Sequence, residues 1–254
     1  MFRAYGVSDK GRARQTNEDC FAIREDLGLC VVADGMGGHK AGEVAARLAV
    51  DAVVDFFSQG AALHPFGTDE GLSPAANVLR TAILLANAQV LEAAESADRY
   101  AGMGTTIVAA RVSDGRLAVA HVGDSRLYVL APRPAATNGR LRQLTHDDSW
   151  VASMLEQDPH ADPAILQHHP MRNALTNVVG ARPATDVHVV EEPLTGGELL
   201  LLSTDGVHGV LDARRLERLM TASEDLHAIA DGVLAAALSR GSRDNCTVVV
   251  ARYS

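Results

Sequence analysis

The chain has 254 residues, of which 47% are apolar but only 4% aromatic, and a formal net charge of −9. That length allows one large domain or two small ones, with apolar side chain enough for a core made mainly of Ala, Val and Leu. The acidic balance, with no stripe of Lys or Arg, excludes a binder of nucleic-acid phosphate backbones and suits a chain that holds carboxylates together with cations.

Residues 2–7 alternate weakly and predict a first strand, followed by a polar loop at 8–16 that carries Arg12 and Arg14. A second strand is expected at 20–23 and a third at 27–33, the latter buried on both faces because its apolar run is almost unbroken. It ends at Asp34-Gly35, and Gly37, Gly38 and Gly42 lead into a helix at 43–57 with Val44, Leu48, Ala52 and Phe56 at helical spacing. After a Gly/Pro-rich loop at 60–74, Leu79, Ile83, Ala86 and Val90 repeat the pattern over 75–94, so two helices are expected to pair on one sheet face. Strands at 105–112 and 116–122 flank Ser113-Asp114-Gly115, a hairpin turn, and a second hairpin is expected from 126–130 and 140–144. Residues 145–170 are polar, carry Pro159, Pro163 and Pro170 with His146, His160, His168 and His169, and predict a short helix and then a mobile flap. Strands at 187–190, 198–203 and 245–251 and helices at 213–220 and 226–239 complete the chain. Short strands at this spacing favour stacked antiparallel sheets over an alternating parallel one.

No repeat, low-complexity tract or linker divides the sequence, so residues 1–254 are expected as one domain with a flap at about 147–170. The three cysteines, Cys20, Cys30 and Cys246, are odd in number and form no CxxC pair, which argues against a disulfide framework and a structural zinc site. The N-terminal residues lack an apolar leader, and no run reaches the ~20 apolar residues of a membrane helix. A soluble cytoplasmic protein, with no membrane or nucleic-acid partner, is the expectation.

The chemistry gathers where apolar strands meet loops. Asp34 follows LCVVA, Asp205 follows LLLLST, Asp244 precedes NCTVVVA, and Asp124 in HVGDSRLY follows the strand at 117–122. Converging on one edge of a sheet, these side chains would form an all-oxygen pocket too repulsive to stay ionised without divalent cations such as Mg²⁺ or Mn²⁺. Arg14, beside Asn17-Glu18-Asp19, can hold a phosphate through parallel hydrogen bonds. The natural reaction beside a two-metal site is hydrolysis of a phosphate ester by a metal-bridging hydroxide.

Taken in order, RQTNED, VVADGMGGH, GTT, VGDSRLY, LLSTDGV and RDNCTVVV resemble the metal-dependent protein phosphatases, the PPM or type-2C serine/threonine phosphatases, and in particular their bacterial branch. The resemblance runs from Arg14 to Val250. It implies an α+β fold, a four-layer α-β-β-α sandwich in which two antiparallel sheets are flanked by helix pairs. It also implies hydrolysis of phosphoserine and phosphothreonine in proteins, opposing a bacterial Ser/Thr kinase, with two core Mn²⁺ or Mg²⁺ ions and a weaker third. Asp34 would bridge the core ions, the Gly35 carbonyl would complete the second, and Asp205 and Asp244 would bind the first. Asp124 with Asp205 would hold the third ion, Arg14 would bind the substrate phosphate, and Asp19 would orient water. Glu18 matches a metal-contacting acid of eukaryotic relatives, and Thr105 and Thr106 would be structural. Where eukaryotic members carry a histidine thought to protonate the leaving group, this chain has Met36, as bacterial members usually do; His39 and a third-metal water are the candidate acids. Phosphorylated proteins are the implied partners of an expected monomer. The competing reading is a pseudophosphatase that only docks phosphoproteins, and the intact Asp34, Asp205, Asp244 and Arg14 favour the enzyme.

Overall fold

The apolar runs are unbroken because each strand is covered twice. Along β3 (Leu29–Met36), Leu29, Val31 and Ala33 face one core while Cys30 and Val32 face another. The same division separates Leu199 and Leu201 from Leu200 and Leu202 on β10 (Leu199–Ser203), and Val248 and Val250 from Val249 and Ala251 on β11 (Cys246–Tyr253). Side chains alternate across a pleated strand, so a strand wedged between a helix layer and another sheet needs apolar residues at every position.

The computed structural model describes every residue except 38–40, 61–64, 133–139, 163, 164 and 167. One sheet has the order β1 (Phe2–Asp9), β11, β10, β7 (Arg126–Leu130), β8 (Leu141–Gln143). The other runs β2 (Asp19–Arg24), β3, β5 (Ile107–Ser113), β6 (Arg116–Val122), β9 (His188–Pro193), with β4 (Gly104–Thr105) paired to β3. Every pairing within these sheets is antiparallel. Helices α1 (Ala41–Ser58) and α2 (Pro74–Ser96) cover the second sheet, while α5 (Ala213–Met220) and α6 (Leu226–Ser239) cover the first. The expected four layers are present. A short α3 (Trp150–Gln157) follows β8, and α4 (Asp205–His208) follows β10. Among the described residues no helix is long and apolar enough to cross a membrane.

Local chemistry sets the boundaries. Ser73 caps α2 by accepting the Ala76 N–H at 3.2 Å, with Pro74 in the first turn, and Asp212 caps α5 through the Arg215 N–H at 2.8 Å. Both residues of the Asp114-Gly115 turn have positive φ, 52° and 70°, the geometry that matches strand twist in a tight hairpin.

Some expectations shift. Strand β3 does not stop at Ala33 but runs to Met36, because Gly35 and Met36 pair with Thr105 and Gly104. The single strand expected over 105–112 divides at Thr106: Thr105 pairs with Val179 beyond the sheet, exchanging hydrogen bonds of 3.0 Å. The second hairpin is shorter than expected, since β8 covers only Leu141–Gln143. On α1 the deeply buried face is Ala45, Ala46, Ala49, Val50 and Val53, with Val44, Leu48 and Phe56 only partly covered; small alanines let the helix lie close on the sheet.

Candidate metal centre

Strand register brings the acidic residues together. Asp19 and Asp34 are direct partners across β2 and β3. Because β10 and β11 are antiparallel neighbours, the end of one lies beside the start of the other, and Asp205 meets Asp244 there. Asp124 lies in the Gly123–Ser125 crossover from β6 in one sheet to β7 in the other. The site therefore straddles the seam between the two sheets. The expectation of four strand ends on one sheet edge is corrected: Asp34 belongs to one sheet, and Asp205 and Asp244 flank strands of the other.

Asp34, Asp124, Asp205 and Asp244 line a cleft of 460 Å³ with Arg14, Glu18, Gly35, Met36, Thr106 and Asn245. Both Asp-Gly pairs are there for close backbone approach. A Cβ on Gly35 would lie 2.0 Å from the Gly42 carbonyl oxygen, and one on Gly206 would lie 1.9 Å from that of Asn245. The backbone beside Asp34 is held by threonines: the Asp34 N–H donates to Thr106 Oγ1 at 3.0 Å, and Thr105 Oγ1 donates to the Asp34 carbonyl at 2.8 Å. Thr105 and Thr106 thus have the structural role the resemblance implies.

The electrostatics are those of carboxylates crowded without enough positive charge. Burial, then repulsion from Asp19, Asp205, Asp124 and Asp244, pushes the Asp34 carboxyl well above its ordinary range. Burial and Asp244 raise Asp205 in the same direction, while the neighbouring Asp34 carboxyl and Arg14 pull it back. Asp124 is pushed up to about 7 by burial and by Asp205. Asp19 is also raised to about 7 by burial, even though its Oδ2 accepts hydrogen bonds from Thr204 Oγ1 at 2.9 Å and Thr247 Oγ1 at 2.7 Å. Burial raises Glu18 as well.

Oδ1 of Asp19 and Oδ1 of Asp205 are buried and have no hydrogen-bond donor among the described residues. Buried acceptors left unpaired are costly, and hard cations relieve them. The donor set is all oxygen, so the residues present fit Mg²⁺ or Mn²⁺ and not a thiolate-seeking metal. Among the described residues no three ligating side chains yet close on a single point; Asp244 Oδ2 instead accepts from Arg14 Nη2 at 2.7 Å. That ion pair holds the guanidinium at the cleft mouth, where 53% of the Arg14 side chain is exposed.

Sequence reasoning missed two contributors. Asn245 fastens the Arg14 loop: its amide nitrogen donates to the Lys10 and Thr16 carbonyls at 3.0 and 2.9 Å, and its Oδ1 accepts the Glu18 N–H at 2.8 Å. An amide directly beside a strand-end Asp was the available signal. The far wall of the cleft is Asn173, Ala174, Leu175 and Val178, just past the expected flap end at residue 170, and carries no sequence mark of its role. Of the histidines near it, His160 and His168 are at the surface and His169 stacks on Trp150 with ring centroids 4.1 Å apart. His39, the candidate acid, lies outside the described residues.

With this geometry in view, the chain matches the family described as Protein phosphatase 2C over residues 10–239. It is 34% identical to the serine/threonine phosphatase stp of Listeria monocytogenes serovar 1/2a, over 96% of this chain and 92% of that protein. It is 33% identical to the serine/threonine protein phosphatase PstP of Mycobacterium tuberculosis, over 99% of this chain but 45% of that protein. Among solved structures, the M. tuberculosis PstP crystal structure superposes with a TM-score of 0.84 at 28% identity, covering 100% of this chain and 99% of that one. A structure of the PstP catalytic domain in complex with 2 manganese ions gives 0.81 at 29% identity, covering 99% and 97%.

Proposed function

The chain belongs to the protein phosphatase 2C family and is a metal-dependent serine/threonine protein phosphatase; from that premise we propose which of its residues do the work. Asp34, the Gly35 carbonyl, Asp205 and Asp244 would hold two Mn²⁺ or Mg²⁺ ions. Asp124 with Asp205 would hold a weaker third. The observation that carries this reading is the seam cluster: buried carboxyls from separate strands, raised by one another, with buried oxygens on Asp19 and Asp205 that lack donors.

When bound, the ions supply activation of water and neutralise charge on the ester phosphate. The chain's own groups then position the reaction. Arg14, now tethered to Asp244, presents guanidinium N–H groups to the phosphate oxygens. Asp19 uses Oδ2 on Thr204 and Thr247 and keeps Oδ1 to accept a hydrogen bond from water in the cleft. Glu18 borders the cleft where the Gly35 and Gly42 backbones meet. Met36 lines the same cleft and has no proton to give the leaving group.

The substrates are phosphorylated proteins. We place the protein, as a monomer, in the cytoplasm and opposite a Ser/Thr kinase. The test is hydrolysis of p-nitrophenyl phosphate and of a phosphothreonine peptide: turnover is expected with Mn²⁺ and should vanish on adding EDTA. Turnover that survives EDTA would refute the metal assignment.

A further inference from the structure

Directly after β8 come two adjacent carboxylates, Asp147 and Asp148, and each grips one end of the turn that carries Asp124. Asp147 takes the Arg126 end: Oδ1 accepts Nε at 2.9 Å and Oδ2 accepts Nη2 at 2.6 Å. Asp148 takes the Gly123 end: its Oδ2 accepts the Gly123 N–H at 2.9 Å, and its own N–H donates to the Gly123 carbonyl at 3.1 Å. The middle of the turn is also tied, since Ser125 Oγ lies 2.7 Å from Thr106 Oγ1, the atom that accepts the Asp34 N–H.

Asp148 reaches in the opposite direction as well. The same Oδ2 accepts Asn177 Nδ2 at 2.9 Å, and the Asp148 carbonyl accepts the Thr176 N–H at 2.9 Å. Asn177 is itself braced, donating to the Asp186 carbonyl at 2.7 Å and accepting from Thr185 Oγ1 at 2.9 Å. Asn173, Ala174, Leu175 and Val178, on either side of the anchored Thr176–Asn177 pair, line the same cleft as the aspartates. Oδ1 of Asp148 is occupied by His188 Nε2 at 2.8 Å. Only 9% exposed, this one carboxylate joins the turn of Asp124, the opposite wall and β9.

We propose that Asp148 is a positioning residue for the phosphatase reaction: it sets the Asp124 turn and the substrate-facing wall at 173–178 relative to each other. The inference rests on the metal-site reading above and goes beyond it, because Asp148 lines neither the cleft nor any proposed ion. The Gly123 N–H and the Asn177 amide both donate to one oxygen of Asp148, and the negative charge strengthens both contacts. An amide in its place offers those two donors a neutral oxygen and turns its NH₂ to His188 Nε2, which must then accept, so the charge that holds turn and wall is lost.

The test uses the full chain and the variants D148N and N177A. Mn²⁺ is titrated calorimetrically into each, and kinetics are measured on p-nitrophenyl phosphate and a phosphothreonine peptide. D148N should keep the tight Mn²⁺ uptake while its weakest Mn²⁺ step weakens about tenfold, the scale of one lost charge-assisted hydrogen bond. Its KM for the peptide should rise by a similar factor, while that for p-nitrophenyl phosphate, which barely touches the wall, stays within about twofold. N177A, which frees the wall from Asp148 and from Asp186 but leaves the grip of Asp148 on Gly123, should raise the peptide KM and leave the Mn²⁺ isotherm unchanged. A wild-type isotherm and peptide KM in D148N overturn the proposal. Should D148N fail to fold, an unchanged ratio of the two KM values in N177A overturns it. A purely structural role would lower the Tm of both variants without moving either readout, and that result also overturns it. Wild-type protein that takes up no Mn²⁺ would instead defeat the metal-site reading itself, so the two failures are distinguishable.

Discussion

Replacing Asp205 with Asn removes a charge from the centre of the seam without changing the size of the side chain. Turnover with Mn²⁺ is expected to drop to background in D205N and D244N, with the fold retained by circular dichroism; wild-type kcat in either would contradict their role as ligands. Asp124→Ala is expected to keep the two tight ions and lower kcat, and activity equal to wild type at saturating Mn²⁺ would remove the third site. Arg14→Ala should raise KM for phosphosubstrates about tenfold and lower kcat less, because the lost hydrogen bonds hold the phosphate before reaction as well as during it. A collapse of kcat at unchanged KM would mean that Arg14 acts only in the transition state. At this scale the sequence was a partial guide. Asp34, Asp205 and Asp244 stand out because each interrupts an apolar strand end, whereas Asn245 and Asp148 act through several hydrogen bonds at once, and that shows only when the partners are in place.

The strands owe their stability to being covered on both faces, and Leu202 is an example: fully buried, it points into the core between the sheets with Val32, Val129 and Val249. Leu202→Ala should cost roughly 2–5 kcal/mol, read as a lower Tm or urea midpoint, while the tight Mn²⁺ affinity of the folded protein stays near wild type. A loss of stability below about 1 kcal/mol would mean that the two sheets are not packed through this residue. The elements easiest to read were those with two independent signals. Strand β6 begins where the hairpin turn says it must, and α5 and α6 each begin at an aspartate that caps the first turn. Harder to read were the elements fixed by a distant partner. The extension of β3 through Asp34 to Met36 depends on β4, some 70 residues away, whose two residues carry no strand pattern of their own. Helix α4 is a single turn that starts at Asp205, too short for periodicity to reveal.

For the whole molecule, the seam makes stability depend on pH and metal together. Asp19 and Asp124 sit at about 7 in the fold, and Asp34 and Asp205 are also raised, so the folded chain keeps protons that the unfolded chain has released above its ordinary carboxylate range near pH 4. Where the folded state binds more protons, stability falls as pH rises, so the metal-free protein should lose this contribution between about pH 4 and 7. Mn²⁺ displaces those protons, and the Tm gain on adding Mn²⁺ should grow across the same interval. Buried His121, held down to about 4 by its burial and by His188, works in the opposite direction with or without metal, so the difference between Mn²⁺ and EDTA isolates the carboxylates. A Tm gain that is flat or shrinks with pH would contradict this. Order along the chain indicated that acids lie at strand ends, but strand ends are shared by two sheets; register pairs the acids within each sheet, and the cleft that Asp34, Asp205 and Asp244 line together shows that they meet across the seam. The most direct measurement is anomalous diffraction at the manganese edge from crystals grown with excess Mn²⁺. Two strong peaks are expected between Asp34 and the Asp205–Asp244 pair, with the Arg14 guanidinium released from Asp244; no peak there, with the Arg14–Asp244 ion pair intact, would contradict the metal centre outright.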